Sequence, residues 1–254
     1  MRKLLVLWIL LLMSGTVIAQ SSPQLKFDTA NDFLENGEYR KALKEYRQIE
    51  ESEMVSGPLY LNMGIAAVQI DSLGLAKFYF LNAEKFESTR ENASQALDFV
   101  NSQFSRQSAK LPKLPWDRVV DQLKVTPGTF GIFLIGYFLL CLGLLLILNR
   151  WFNLITIPKE KNTIISLFVV SALVITLAYY VDYIEQRYDD AVLIIDQSTV
   201  STKPEENTEL VSMAYEGYDL IVDWKKSANV ENWYYIRLGN GQFGWIKAKG
   251  IEIL

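Results

Sequence analysis

FGIFLIGYFLLCLGLLLIL (130–148) and IISLFVVSALVITLAYYV (164–181) are the two stretches on which the reading of this chain turns. Neither contains Asp, Glu, Lys or Arg. At about 1.5 Å of rise per residue, each is long enough to cross a hydrocarbon core of roughly 30 Å as a helix. Only residues 149–163 lie between them, so the pattern predicts a transmembrane hairpin with spans at 129–149 and 163–182 and a connecting loop at 150–162. A hairpin returns the chain to the side it left, which puts the segments before and after it in one compartment. With no ionisable side chain inside, the spans hold neither an ion path nor a proton relay and read as an anchor. Gly136 and Gly143 recur at seven residues, as do Ser171 and Ala178, and these small residues would let a neighbouring helix approach closely.

The first residues indicate which compartment. Arg2 and Lys3 precede an apolar run at 4–13, followed by Val17 and Ala19 at the spacing of a cleavage site. This is the pattern of a secretory signal peptide, 1–19, with an uncleaved anchor helix as the alternative, and either one exports everything from Gln20 to the first span. Arg150, Lys159 and Lys161 against Glu160 in the connecting loop agree with a cytoplasmic loop. Lys110, Lys113, Arg118 and Lys124 oppose this orientation, but the leader commits the chain before they are made.

The exported parts are small and acidic. Residues 20–109 carry 13 acidic and 9 basic side chains, and residues 182–254 carry 13 and 7, so nucleic acid is excluded as an expected partner. The single cysteine, Cys141, falls in the first span, and no disulfide framework exists.

Residues 20–105 repeat themselves at an offset of 34. Ala30 pairs with Gly64, Tyr39 with Leu73, Ala42 with Ala76 and Tyr46 with Phe80. Small residues at such positions let two antiparallel helices meet, and large ones fill toward the next pair. Asn36-Gly37 and Asp71-Ser72 supply the turns, and Ser56-Gly57-Pro58 separates the pairs with proline at a helix start. This segment resembles tetratricopeptide repeats: two repeats over 25–88 and a capping helix at 89–104. The resemblance implies an all-α solenoid that binds protein segments in a groove lined by Phe27, Asn31, Leu34, Leu61, Ile65 and Val68. The same apolar residues are equally suited to internal packing or to a neighbouring domain.

Residues 106–128 read as a linker with Pro112 and Pro115, followed by a short juxtamembrane helix. In it Trp116, Val119, Val120 and Leu123 recur at three, four and seven residues, as an amphipathic helix on a membrane surface would place them, and a plain connector is the equal alternative. Beyond a charged helical stub at 182–190, short strands are expected at 191–195, 210–213, 217–222, 233–238, 244–247 and 251–253, a small all-β barrel over 183–254. The pieces Glu216-Gly217, Trp233-Tyr234, Gly244-Trp245-Ile246 and Ile251-Glu252-Ile253 resemble a bacterial SH3-type domain, which implies binding of cell-wall peptides or proteins. Alternation separates Tyr234 and Ile236 from Trp233, Tyr235 and Arg237. Of the aromatic surface candidates Trp233, Tyr235 and Trp245, Tyr235 reads as the contact and Trp245 first as structural.

No catalytic pattern is found. With no histidine, Ser-His and Cys-His pairs and the common zinc sites are excluded, and no metal or cofactor is expected. The order of leader, helical repeats, two spans and SH3-type barrel resembles the BatE-like proteins of the Bacteroidetes aerotolerance (Bat) operon. That resemblance implies a non-enzymatic scaffold in the bacterial inner membrane with both soluble domains periplasmic. It also implies von Willebrand A-type membrane proteins and other repeat proteins as partners, with a MoxR-type ATPase reached only through the short loop. Anchored peptidoglycan binding is the alternative.

Overall fold

The computed structural model describes residues 23–106, 111–112, 115–152, 160–206 and 208–254. The expected leader lies outside these residues, as do most of the connecting loop and part of the linker. The chain separates into two compact units, 1–104 and 105–254.

The first unit is five helices: α1 (Pro23–Glu35), α2 (Tyr39–Glu50), α3 (Gly57–Gln69), α4 (Leu73–Glu84) and α5 (Arg90–Gln103). Each packs mainly on its neighbours in sequence. Helix α3 starts where Ser56 accepts a hydrogen bond from the Leu59 N–H at 3.3 Å, with a proline in the first turn. Three of the four pairs related by the offset of 34 lie inside, since Ala30, Ala42, Tyr46, Gly64, Ala76 and Phe80 are buried, while Tyr39 and Leu73 are half-buried. Gly64 shows why a residue without a side chain is needed, since a Cβ there would sit 2.4 Å from the Phe80 ring. On α5, Ala93, Leu97 and Val100 are buried against the stack, giving that helix one apolar stripe and one wet face.

The second unit opens with α6 (Pro115–Val125), α7 (Gly128–Phe152) and α8 (Glu160–Arg187). Helices α7 and α8 are each long and apolar enough to cross a membrane, and fewer than a quarter of the residues in each apolar core are buried. They pack side by side, and all four small residues singled out in the sequence meet at the contact. Ser171 Oγ donates to the Gly136 carbonyl at 2.8 Å in a buried hydrogen bond. A Cβ on Gly136 would stand 2.6 Å from Ile175 Cγ1, and one on Gly143 would stand 3.1 Å from the Phe168 ring. Ala178 is fully buried. The neighbouring helix these residues admit is therefore the partner helix of the same hairpin. Helix α8 continues past the expected span to Arg187, so the expected charged stub at 182–190 is its last turns up to Arg187, while Tyr188, Asp189 and Asp190 already belong to a strand.

Strand β1 (Tyr188–Leu193) follows α8 with no intervening residue. It is joined by β2 (Gln197–Ser201), β3 (Leu210–Tyr215), β4 (Asp219–Asp223), the one-turn helix α9 (Trp224–Ser227), β5 (Trp233–Leu238), β6 (Phe243–Lys247) and β7 (Ile251–Ile253). The sheet is antiparallel in the order β3-β2-β6-β5-β4-β1-β7. Ala191, Leu193, Val200, Ala214, Leu220, Val222, Ile236, Leu238, Ile246 and Ile251 form one core. These side chains come from all seven strands, so the sheet must coil around them. Expectation and structure differ at β2, which was not among the expected strands: only Val200 and Ser201 of its five residues are buried, too little for a periodic signal.

Candidate functional site

The outward face of the β5–β6 hairpin gathers the aromatic residues of the C-terminal domain. Its register pairs Trp233 with Lys247, Tyr235 with Trp245 and Arg237 with Phe243, all on one side. Tyr234 and Ile246, and Ile236 and Gly244, form the opposite side. Ile236, Leu238 and Ile246 fill the core with Tyr234 packed on it, so the first set must face out. The connecting turn holds its shape through Gly241 N–H donating to the Leu238 carbonyl at 2.8 Å and Gln242 N–H donating to Asn240 Oδ1 at 3.0 Å, with Gly241 at φ +84°.

Gly244 and Trp245 divide two tasks between adjacent residues. Gly244 faces inward where β2 crosses β6 at the Ser201–Trp245 pair. A Cβ there would come within 2.6 Å of Val200 Cγ1 and 2.9 Å of the Ser201 carbonyl oxygen, so only glycine allows the strands to close. Trp245 faces outward and meets Tyr235 edge to face, with centroids 5.3 Å apart and planes at 75°. Trp245 is half-buried in this outer layer, packed on Tyr235, and lies outside the core cluster. Phe243, 53% exposed and not among the sequence candidates, completes the layer by stacking on Tyr235 at 6.3 Å.

Three cations cover these rings. Lys226 Nζ stands 3.8 Å from the Tyr235 centroid, the Arg237 guanidinium 5.8 Å from Phe243, and Lys247 Nζ 5.9 Å from Trp233. Lys247 also pairs with Glu206 at 2.7 Å, and its hydrogen bond and charge hold that exposed carboxylate below its ordinary pKa. Lys226 is placed by α9, whose start is capped by Asp223: the Lys226 N–H donates to Asp223 Oδ1 at 3.2 Å. Ser227 Oγ donates to the Asp223 carbonyl at 2.8 Å and accepts from the Tyr235 N–H at 2.9 Å, which ties α9 to β5.

Asp223 also joins the domain to α8. Arg187 donates from Nε to Oδ1 at 3.0 Å and from Nη2 to Oδ2 at 2.7 Å, a two-point grip on a nearly buried carboxylate. Burial pushes the Asp223 pKa up, but the Arg187 bonds, the Lys226 N–H and the two positive charges outweigh it and hold the group below its ordinary value. Trp224 Nε1 donates to Asp189 Oδ2 at 2.6 Å and its ring meets Tyr234 edge to face. None of these partners is visible from sequence spacing, because Arg187 and Asp223 are 36 residues apart.

The residues expected to line a groove on the helical unit are placed differently from one another. Phe27 packs on Tyr46, with ring centroids 5.9 Å apart. Asn31 Oδ1 accepts from Tyr46 Oη at 2.6 Å and from Asn62 Nδ2 at 2.9 Å, so it ties α1, α2 and α3 together. Leu34, Leu61 and Val68 are half-buried and Ile65 is exposed. Burial of Tyr46, with Glu35 nearby, pushes its phenol up to about 12 against the opposing hydrogen bond from Asn62. Among the described residues there is no group of three or more Cys, Asp or Glu placed to hold a metal.

No curated protein matches the chain. A family model does match the C-terminal domain, over residues 177–252, and begins within the last turns of α8. The chain thus carries, at 177–252, a GW (Gly-Tryp) dipeptide domain, a bacterial SH3-like module in which Gly244-Trp245 is a dipeptide of the type named.

Proposed function

We propose that this chain is a non-enzymatic envelope protein, anchored by α7 and α8, that holds cell-wall polymer on the outward face of β5–β6. The observation that carries the reading is the layer of Trp233, Tyr235, Phe243 and Trp245 under Lys226, Arg237 and Lys247, on a domain of the GW class, which is a cell-wall-binding module. Rings offer flat apolar surface for sugar or peptide stacking, and the cations offer partners for carboxylates on the polymer. Peptidoglycan is the proposed partner. Full-length protein in mild detergent should sediment with purified sacculi. Y235A and W245A should each weaken that binding by about tenfold, a loss of roughly 1.4 kcal/mol. Unchanged binding by both variants refutes the assignment of this face.

The helical unit favours a second role for the same protein, as a scaffold for a Bat-type complex with von Willebrand A-type and repeat proteins. The support is the period of 34, with its small residues buried between helices, and the half-buried apolar row Leu34, Leu61 and Val68 beside the exposed Ile65. In this reading the unit is a tetratricopeptide domain and both soluble parts are periplasmic at the inner membrane. Affinity purification followed by mass spectrometry tests it: recovery with sacculi but with no membrane protein would leave the wall-binding role alone.

A further inference from the structure

Helix α6 is too amphipathic to be left in water as it stands. Trp116, Val119, Val120 and Leu123 share one side at helical spacing, while Arg118 and Gln122 lie away from it. No residue of α6 is buried, and Trp116 and Val119 are 62% and 55% exposed. The stripe is not unpartnered along its whole length. Its C-terminal member, Leu123, packs on the cluster of Ile132, Ala178 and Val181 where α7 and α8 meet.

That contact fixes the height of α6 along the hairpin. Val181 is the last residue of the charge-free stretch, and the next turns bring Asp182, Glu185 and Arg187. At the same end Thr129 Oγ1 donates to Glu185 Oε2 at 2.7 Å, so the start of α7 and the end of α8 stand level. Tyr179, Tyr180 and Tyr183 are exposed around this level, where aromatic rings with a polar tip favour a membrane boundary. The C-terminal end of the α6 stripe therefore meets the apolar surface of the hairpin at the depth where that surface ends.

We infer that α6 lies in the bilayer interface, with Trp116 and Val119 inserted among the upper acyl chains and Arg118 in water. The occupant of this face is the lipid of the membrane that the hairpin crosses, and the inference rests on that crossing. An apolar helix face of this kind sinks about 5–10 Å into the boundary between headgroups and chains. The result is a third membrane contact, made by the chain just before it enters α7.

The test uses the full chain in lipid nanodiscs with Cys141→Ser and single cysteines at Val119, Trp116, Arg118 or Phe138, each carrying an environment-sensitive fluorophore. Labels on V119C and W116C should be quenched by lipid bearing a nitroxide high on the acyl chain. Their quenching by aqueous iodide should be about threefold or more below that of R118C. Iodide quenching of V119C and W116C equal to that of R118C, with F138C still quenched by lipid, overturns the interfacial position and leaves the crossing intact. Iodide quenching of F138C as well overturns both.

Discussion

At the scale of single residues, Gly244 is the sharpest case of backbone packing dictating an amino acid. A methyl group there meets Val200 Cγ1 at 2.6 Å and the Ser201 carbonyl oxygen at 2.9 Å, and the second contact is backbone that cannot rotate away. G244A should destabilise the C-terminal domain by about 1–3 kcal/mol. Adding V200A should recover only part of it, because the clash with the carbonyl persists; thermal unfolding followed by near-ultraviolet dichroism reads both. Asp223 gives a prediction in pH. Its folded-state pKa lies below the ordinary value of about 3.9, so its ionised form stabilises the fold. That contribution is complete above the ordinary value and is lost as pH falls through the depressed one. The Tm difference between wild type and D223N should therefore stay constant from neutral pH down to about 5 and shrink below about 4. A difference independent of pH would show that the carboxylate's charge contributes nothing. Residues of this kind were only half legible in the sequence. The alternation of β5 separates Tyr234 from Tyr235 and the hairpin register then sets Trp245 beside Tyr235, but the need for glycine at 244 comes from the crossing of β2, and that crossing is a long-range fact.

At the scale of elements, the readable features were those with a strong local period or composition. The two apolar helices, the turns at Gly37 and Asp71, and the strands around Ile236 and Ile246 all announce themselves locally. Strand β2 does not, because a polar strand that buries Val200 and Ser201 is defined by its neighbours β3 and β6 rather than by its own pattern. The charged residues after Val181 mark the end of an apolar stretch and not the end of a helix, so the helical stub is legible up to Arg187, whereas the change to strand at Tyr188, where β1 pairs with β4 and β7, is not. The hairpin contact yields an element-scale prediction. In a C141S background, T129C and E185C should be joined by a short bifunctional thiol crosslinker, since Thr129 Oγ1 and Glu185 Oε2 are 2.7 Å apart in the wild type. G136L forces bulk against Ile175 and should cut that yield several-fold, whereas S171A, which removes one buried hydrogen bond worth about 0.6 kcal/mol, should leave most of it. Equal yields in wild type and G136L would mean that the glycine does not set the helix separation.

At the scale of the whole molecule, the chain puts its two ends to use around one geometric device. Helices α7 and α8 run back to back, and the level contact between Thr129 and Glu185 means that the chain enters and leaves the hairpin at the same end. If α7 and α8 cross a bilayer, the helical unit and the GW domain necessarily share a side. Because α8 passes into β1 without a spare residue and Arg187 clamps Asp223, the domain is held close to that surface instead of hanging on a tether. A wall polymer bound on β5–β6 would then be held near the membrane. A periplasm-dependent reporter enzyme inserted near Ser88 and, in a separate strain, fused after Leu254 should be active at both positions, while one inserted in the loop between α7 and α8 should be silent. Activity on only one of the two flanks would mean that an odd number of helices crosses the membrane. The hairpin topology, and with it a periplasmic position for both soluble parts, would then be excluded.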